Sequence, residues 1–156
     1  MLVEERMKRI IALVLCLVLA LSIVGCGNKM KYSDSSIAEV NAFPNVSLEL
    51  YDDTITNGLL TLTLTNNNDF DIESGNQYDF GIEVLHKDKW QSIEIGERDN
   101  TADACSYYTG KHLIQFGISE IYGELPSGHY RLVKCFWPEN GGLENKFYLS
   151  AEFDVE

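Results

Sequence analysis

The sequence predicts an all-β fold, an antiparallel sandwich of about seven strands reached through a helical leader and a polar connecting segment. Three observations predict it. From Val46 onward apolar residues alternate with polar ones at a period of two, turn-forming residues break the alternation about every ten positions, and no stretch beyond Asn45 keeps a 3.6-residue period.

The first element is the leader, residues 1–25. A basic cluster of Arg6, Lys8 and Arg9 precedes an uncharged run from Ile10 to Val24. As a helix this run rises only ~22 Å against a hydrocarbon core of ~30 Å, which suits a signal peptide and is short for a spanning helix. Glu4 and Glu5 are out of place in a basic leader, and Met7 opens a more regular one, so Met7 is the expected start. The run ends on Ile23-Val24-Gly25-Cys26, which resembles the lipobox of bacterial lipoproteins. That resemblance implies a diacylglycerol on the Cys26 thiol, cleavage before it, and Cys26 as the mature N-terminus. Two acyl chains, at ~0.8 kcal/mol per buried methylene, meet the requirement of more than one lipid signal for stable anchoring. The alternative is an ordinary secretory signal followed by a chance cysteine. The expected location is the extracytoplasmic face of a cell membrane, with the lipid as anchor.

Without the leader, 131 of the 156 residues remain, enough for one domain with a core of its own. Three of 12 basic and two of 24 acidic residues leave with it, so the mature balance is 9 against 22. Phosphate backbones repel such a chain, which excludes nucleic acid as the expected partner and disfavours a second, electrostatic contact with anionic lipid. Residues 26–45 are polar and lack sustained periodicity, and read as the lipidated N-terminus and a flexible tether holding the domain off the membrane.

The domain is expected at residues 46–156. Val46, Leu48 and Leu50 share one face of a first strand, and Asn57-Gly58 turns the chain. Leu60, Leu62 and Leu64 alternate with Thr61, Thr63 and Thr65 in a second, and Tyr78, Phe80, Ile82 and Val84 mark a third. Trp90 and Ile93 lie in a fourth, residues 97–110 are irregular, and Ile114, Phe116 and Ile118 mark a fifth. Tyr130 and Leu132 face inward on a sixth, and Phe147, Leu149, Ala151, Phe153 and Val155 alternate in the last. Seven strands at this spacing fit an aligned sandwich of immunoglobulin type. Tyr130 follows Leu125-Pro126-Ser127-Gly128 at the start of a strand, the position of a tyrosine corner, so its hydroxyl should bond backbone in that turn.

The run Gly58-Leu59-Leu60-Thr61-Leu62-Thr63-Leu64-Thr65-Asn66-Asn67, the segment 78–90 with its Lys-Asp-Lys-Trp end, and above all residues 121–134, with Leu-Pro-Ser-Gly-His-Tyr at their centre, together resemble the bacterial immunoglobulin-like domain of Gram-positive lipoproteins and surface proteins. The resemblance spans nearly the whole mature domain. It implies an extracytoplasmic β-sandwich and carries over no catalytic or ligand-binding residues. Cys105 and Cys135 are not part of its pattern.

Catalytic and metal motifs give little. His86, His112 and His129 are scattered, with no spacing suited to zinc. Ser127 sits in a Pro-Ser-Gly turn, not a nucleophile elbow, and Asp69-x-Asp71-x-Glu73 runs into Ser74 where a calcium loop needs glycine. No cofactor, metal site or small-molecule substrate is inferred. The expected function is a non-catalytic binding or interaction module, with an envelope or membrane protein as partner; the alternative is a small cell-envelope hydrolase.

Two further expectations concern side chains. With Cys16 in the leader and Cys26 acylated, Cys105 and Cys135 remain. Outside the cytoplasm they either pair, closing a loop of about 31 residues worth roughly 3 to 4 kcal/mol, or stay free thiols. The period-two rule turns Arg131, Val133, Cys135 and Trp137 outward, along with Tyr148 and Leu85 on strands expected in the same sheet. Trp137, Tyr148, Val133 and Leu85 are therefore expected to form one exposed partner-binding patch, unless the loop 97–110 folds over it.

Overall fold

A computed structural model describes residues 30–51, 58–96 and 103–156. The leader, Cys26 and its immediate neighbours lie outside the described residues. In chain order the strands are β1 (Lys31–Asp34), β2 (Val46–Leu50), β3 (Leu59–Asn66), β4 (Ile72–Ser74), β5 (Gly81–His86), β6 (Lys89–Glu94), β7 (Cys105–Tyr107), β8 (Gly110–Gly117), β9 (Gly128–Pro138) and β10 (Phe147–Val155). One helical turn, α1 (Ile118–Tyr122), follows β8.

The strands form two antiparallel sheets. The smaller runs β2-β3-β8, and the larger runs β1-β6-β5-β9, with β10 on the far side of β9 and β4 and β7 continuing the near side. β9 is long enough to serve two partners on one flank. Its first half pairs with β5, Val84 opposite Tyr130, and its last residues pair with β4, Ser74 opposite Phe136. The expected sandwich of immunoglobulin type is thus present, with β5, β9 and β10 side by side.

Alternation decides which face is inside. In β3, Leu60, Leu62 and Leu64 are completely buried and sit opposite Phe116, Ile114 and Leu48. From the facing sheet come Ile82, Tyr130, Leu132, Phe136, Leu149 and Phe153, all buried. Phe80 crosses the gap to Phe116, ring centroids 5.0 Å apart in an edge-to-face contact. Burying each of these side chains contributes ~1.5 to 3 kcal/mol, which is why β3 turns Leu60, Leu62 and Leu64 inward and leaves its threonines, with Leu59 at its start, on the outer side.

Beyond the N-terminal segment, the structure departs from expectation at three places. Ile118 is not in a strand; it and Tyr122 are the buried positions of α1, four apart on one helical face, and five residues are too few to show a 3.6-residue period. β4 and β7, three residues each, are too short to show alternation, so the stretch containing Cys105 and Tyr107 read as irregular. Tyr78 is exposed and lies before the third sandwich strand, which begins at Gly81.

One inward position of β9 is a lysine. Lys134 is 1% exposed and donates from Nζ to the carbonyls of Gly75 at 3.1 Å, Asn76 at 2.9 Å and Asp79 at 2.9 Å. The ammonium so closes the loop before β5, joining three of its carbonyls, of which that of Asn76 also accepts from the Asp79 N–H at 3.1 Å. Replacing Lys134 by Met keeps the volume but removes all three ammonium bonds, and should cost about 1 to 3 kcal/mol in urea unfolding. Burial holds the Lys134 ammonium down to about pH 8 from its ordinary 10.5. The native state then binds fewer protons than the unfolded chain between those values, so the wild type should gain on Lys134→Met as pH rises from about 8 to 10.

The tyrosine corner is formed as expected. Tyr130 is 2% exposed, its hydroxyl donates to the Pro126 carbonyl at 2.6 Å, and its ring stacks on Phe153 with centroids 5.7 Å apart.

Candidate functional site

The residues that the sequence singles out lie on the outer face of the larger sheet. β9 alternates as expected, with Tyr130, Leu132, Lys134 and Phe136 facing the core, and Arg131, Val133, Cys135 and Trp137 facing away. That outer face is not free. Residues 30–45 are no simple tether: β1 pairs along β6, Lys31 opposite Glu94 and Asp34 opposite Gln91. Residues 35–43 then cross the face as a strap and reach β10 on the opposite edge.

Each end of the strap has a specific polar attachment. Near β1, Ser35 Oγ donates to Glu83 Oε1 at 2.5 Å. At the far edge, Asn41 imitates a strand residue: its backbone N–H donates to the Tyr148 carbonyl at 2.8 Å, its side-chain amide donates to the Ser150 carbonyl at 3.1 Å, and its Oδ1 accepts from the Ser150 N–H at 2.8 Å. Asn41 does this at φ 59, a left-handed conformation that asparagine tolerates better than most residues. The primary amide thus satisfies part of β10's open edge without adding a strand that another chain could extend. Phe43 then stacks on Phe147, centroids 3.9 Å apart.

Under the strap lies a buried ion pair. Glu83 and Arg131, opposite one another on β5 and β9, are 2% and 7% exposed. Arg131 donates to Glu83 Oε2 from Nε at 2.7 Å, and its terminal nitrogen lies 2.6 Å from the same oxygen. Glu83 Oε1 accepts from both Ser35 and Ser92, the latter at 3.0 Å. The guanidinium also lies over the Trp90 ring, 4.4 Å from its centroid. The two charges are paired and both Glu83 oxygens accept hydrogen bonds, one of them from the strap, so the cluster acts as a clasp for the strap.

The strap corrects the expected patch. Val133 is 2% exposed, and the segment covering it is 35–43, which the sequence presents as tether, not the loop 97–110. The described part of that loop instead extends the sheet as β7, and residues 97–102 lie outside the described residues. The face is left in two halves. At one end Leu85 is 38% exposed beside Trp90 and His129, whose imidazole is held by Asp154 at 2.7 Å and Glu152 at 2.9 Å. Those two carboxylates raise the His129 pKa above its ordinary value. At the other end stand Trp137 and Tyr148, both half-buried, with Cys135 opposite Tyr148. Trp137 Nε1 donates to Glu73 Oε2 at 2.7 Å, so the indole presents an apolar surface with its one polar group already bonded. Lys146 Nζ lies 6.0 Å from the Tyr148 ring centroid. An aromatic pair flanked by one acid and one base remains of the four residues; Val133 and Leu85 do not join it.

Cys105 and Cys135 are free thiols. Ser74 of β4 lies opposite both Cys105 and Phe136, so Cys105 shares the inner face with Phe136, and Cys135, one residue earlier, points outward. With β4 between them the two strands are ~10 Å apart, beyond the ~7 Å that a disulfide spans. Burial pushes the Cys135 thiol up in pKa, which lowers its reactivity further.

Among the described residues no three His, Cys, Asp or Glu side chains gather to hold a metal ion. A recess of about 710 Å³ lies away from this face, between β1, the end of β6 and α1, where Met30, Ile93, Ile95 and Ile121 meet Glu94 and Glu124.

No curated protein matches the chain. Residues 42–154 match the family described as Bacterial Ig-like domain; the match covers both sheets apart from β1, and leaves the strap up to Asn41 outside it. On that match, over well more than half its length, the chain belongs to the bacterial Ig-like domain family.

Proposed function

We propose that this chain is a lipoprotein, held through Cys26 on the extracytoplasmic face of a membrane, whose Ig-like domain is a non-catalytic module that docks an envelope or membrane protein through Trp137 and Tyr148. The half-exposed aromatic pair carries the docking reading. Aromatic anchors beside a polar rim of Glu73 and Lys146 have the composition of an interaction hot spot, and the family membership agrees with such a role. Truncating either ring should weaken capture. Trp137→Ala and Tyr148→Ala should each lower recovery of a cross-linked partner from intact membranes by about tenfold or more, a hot-spot loss of ≥ ~1.4 kcal/mol, with the melting temperature little changed. Unchanged recovery by both variants removes this surface from the proposal.

The anchor reading rests on the uncharged run and Ile23-Val24-Gly25-Cys26. Cys26→Ala should abolish incorporation of labelled palmitate and leave an unprocessed chain larger by the leader. A variant that still reaches the mature size and stays in the membrane fraction contradicts lipid attachment.

A further inference from the structure

The folded unit starts earlier than the sandwich. Backbone pairing with β6 begins at Lys31, and the strap continues without a break into β2. Cys26 is only five positions before Lys31. Five residues span at most ~17 Å fully extended. A lipid on Cys26 therefore cannot leave β1 far from the headgroups. A free tether running to residue 45 would have allowed four times that chain length.

Building on the lipid attachment proposed above, we propose that the domain lies directly against the bilayer with its β1–β6 edge toward the headgroups. Charge favours the same edge. All four residues of β1 are exposed, and the edge with its β5–β6 turn carries Lys31, Lys87 and Lys89 against Asp34, Asp88 and Glu94, three cations to three anions. The mature chain as a whole carries 9 to 22, so this edge is less acidic than the average of the chain and is repelled less by an anionic bilayer than that average would be. β10 is the opposite edge of the sheet, four strand spacings or ~19 Å farther out. The Trp137–Tyr148 end is thereby held clear of lipid, open to a protein approaching from the side.

The test uses the mature lipidated chain in vesicles of phosphatidylcholine and phosphatidylglycerol that carry an acceptor dye on a small fraction of headgroups. A donor dye is placed at Tyr32→Cys on β1 or at Glu144→Cys beside β10, each with Cys105→Ser and Cys135→Ser. Energy transfer from position 32 should exceed that from position 144 by about twofold or more, given the ~19 Å offset. Insertion of twenty Gly/Ser residues after Gly27 should remove the difference. Equal transfer from the two positions, or a difference that survives the insertion, overturns the apposition while leaving the anchor intact. Failure of the protein to float with the vesicles overturns the anchor itself, and this proposal with it.

Discussion

Arg131→Met is expected to destabilise the domain by about 3 to 5 kcal/mol, because it leaves the Glu83 carboxylate buried with two serine hydroxyls and no cation. Removing one member of a buried pair costs more than the pair itself contributes, since the survivor keeps its desolvation penalty. The double replacement Glu83→Leu with Arg131→Met should therefore recover much of the loss. The strap should respond separately. With Glu83 absent, Ser35 loses its acceptor, and amide exchange over residues 35–41 should accelerate by more than the fall in global stability accounts for. Urea unfolding of the three proteins, combined with hydrogen exchange, checks both parts. A single variant as stable as wild type, or a double variant less stable than Arg131→Met, shows that the pair is not the clasp described.

Tyr130→Ala should be comparably severe, about 3 to 5 kcal/mol, because it empties a site 2% exposed and removes the ring stacked on Phe153. Tyr130→Phe isolates the hydroxyl and should cost about 1 kcal/mol through loss of the bond to the Pro126 carbonyl. The order of the three proteins in urea is the measurement. A Phe variant equal to wild type removes the corner bond from the account of stability, and an Ala variant equal to Phe removes the ring. Gly128 belongs to the same corner: a Cβ there would meet the Tyr130 ring at 3.2 Å, tighter than an ordinary contact, so the turn and the ring restrict one another.

The short spacing between Cys26 and β1 changes what the N-terminal region does. A polar segment of that composition reads as spacer, but here it closes one edge of the larger sheet, crosses its outer face and blunts the other edge through Asn41. Because the family match begins at Ala42, the crossing segment lies ahead of the shared domain.

The sandwich was legible in the sequence because its strands report their own environment. Leu60, Leu62 and Leu64 alternating with threonines can bury only one face, and the same rule placed Tyr130 and Leu132 inside and Trp137 outside. The corner was legible too, since Leu-Pro-Ser-Gly before a strand-initial tyrosine is a local signal. What tertiary structure alone decided is which outward residues meet water. Nothing local distinguishes Val133 from Trp137, as both point away from the core on one strand; Val133 is buried because a segment some ninety positions earlier happens to cross there. The same holds for the ions. Glu83 and Arg131 read as solvated charges until the strap takes them out of water, and Lys134, facing inward, is tolerated only because three carbonyls from the loop before β5 receive its ammonium. Periodicity records the two sides of a strand, whereas burial of an outer face depends on contacts between residues distant in sequence, which no local pattern encodes.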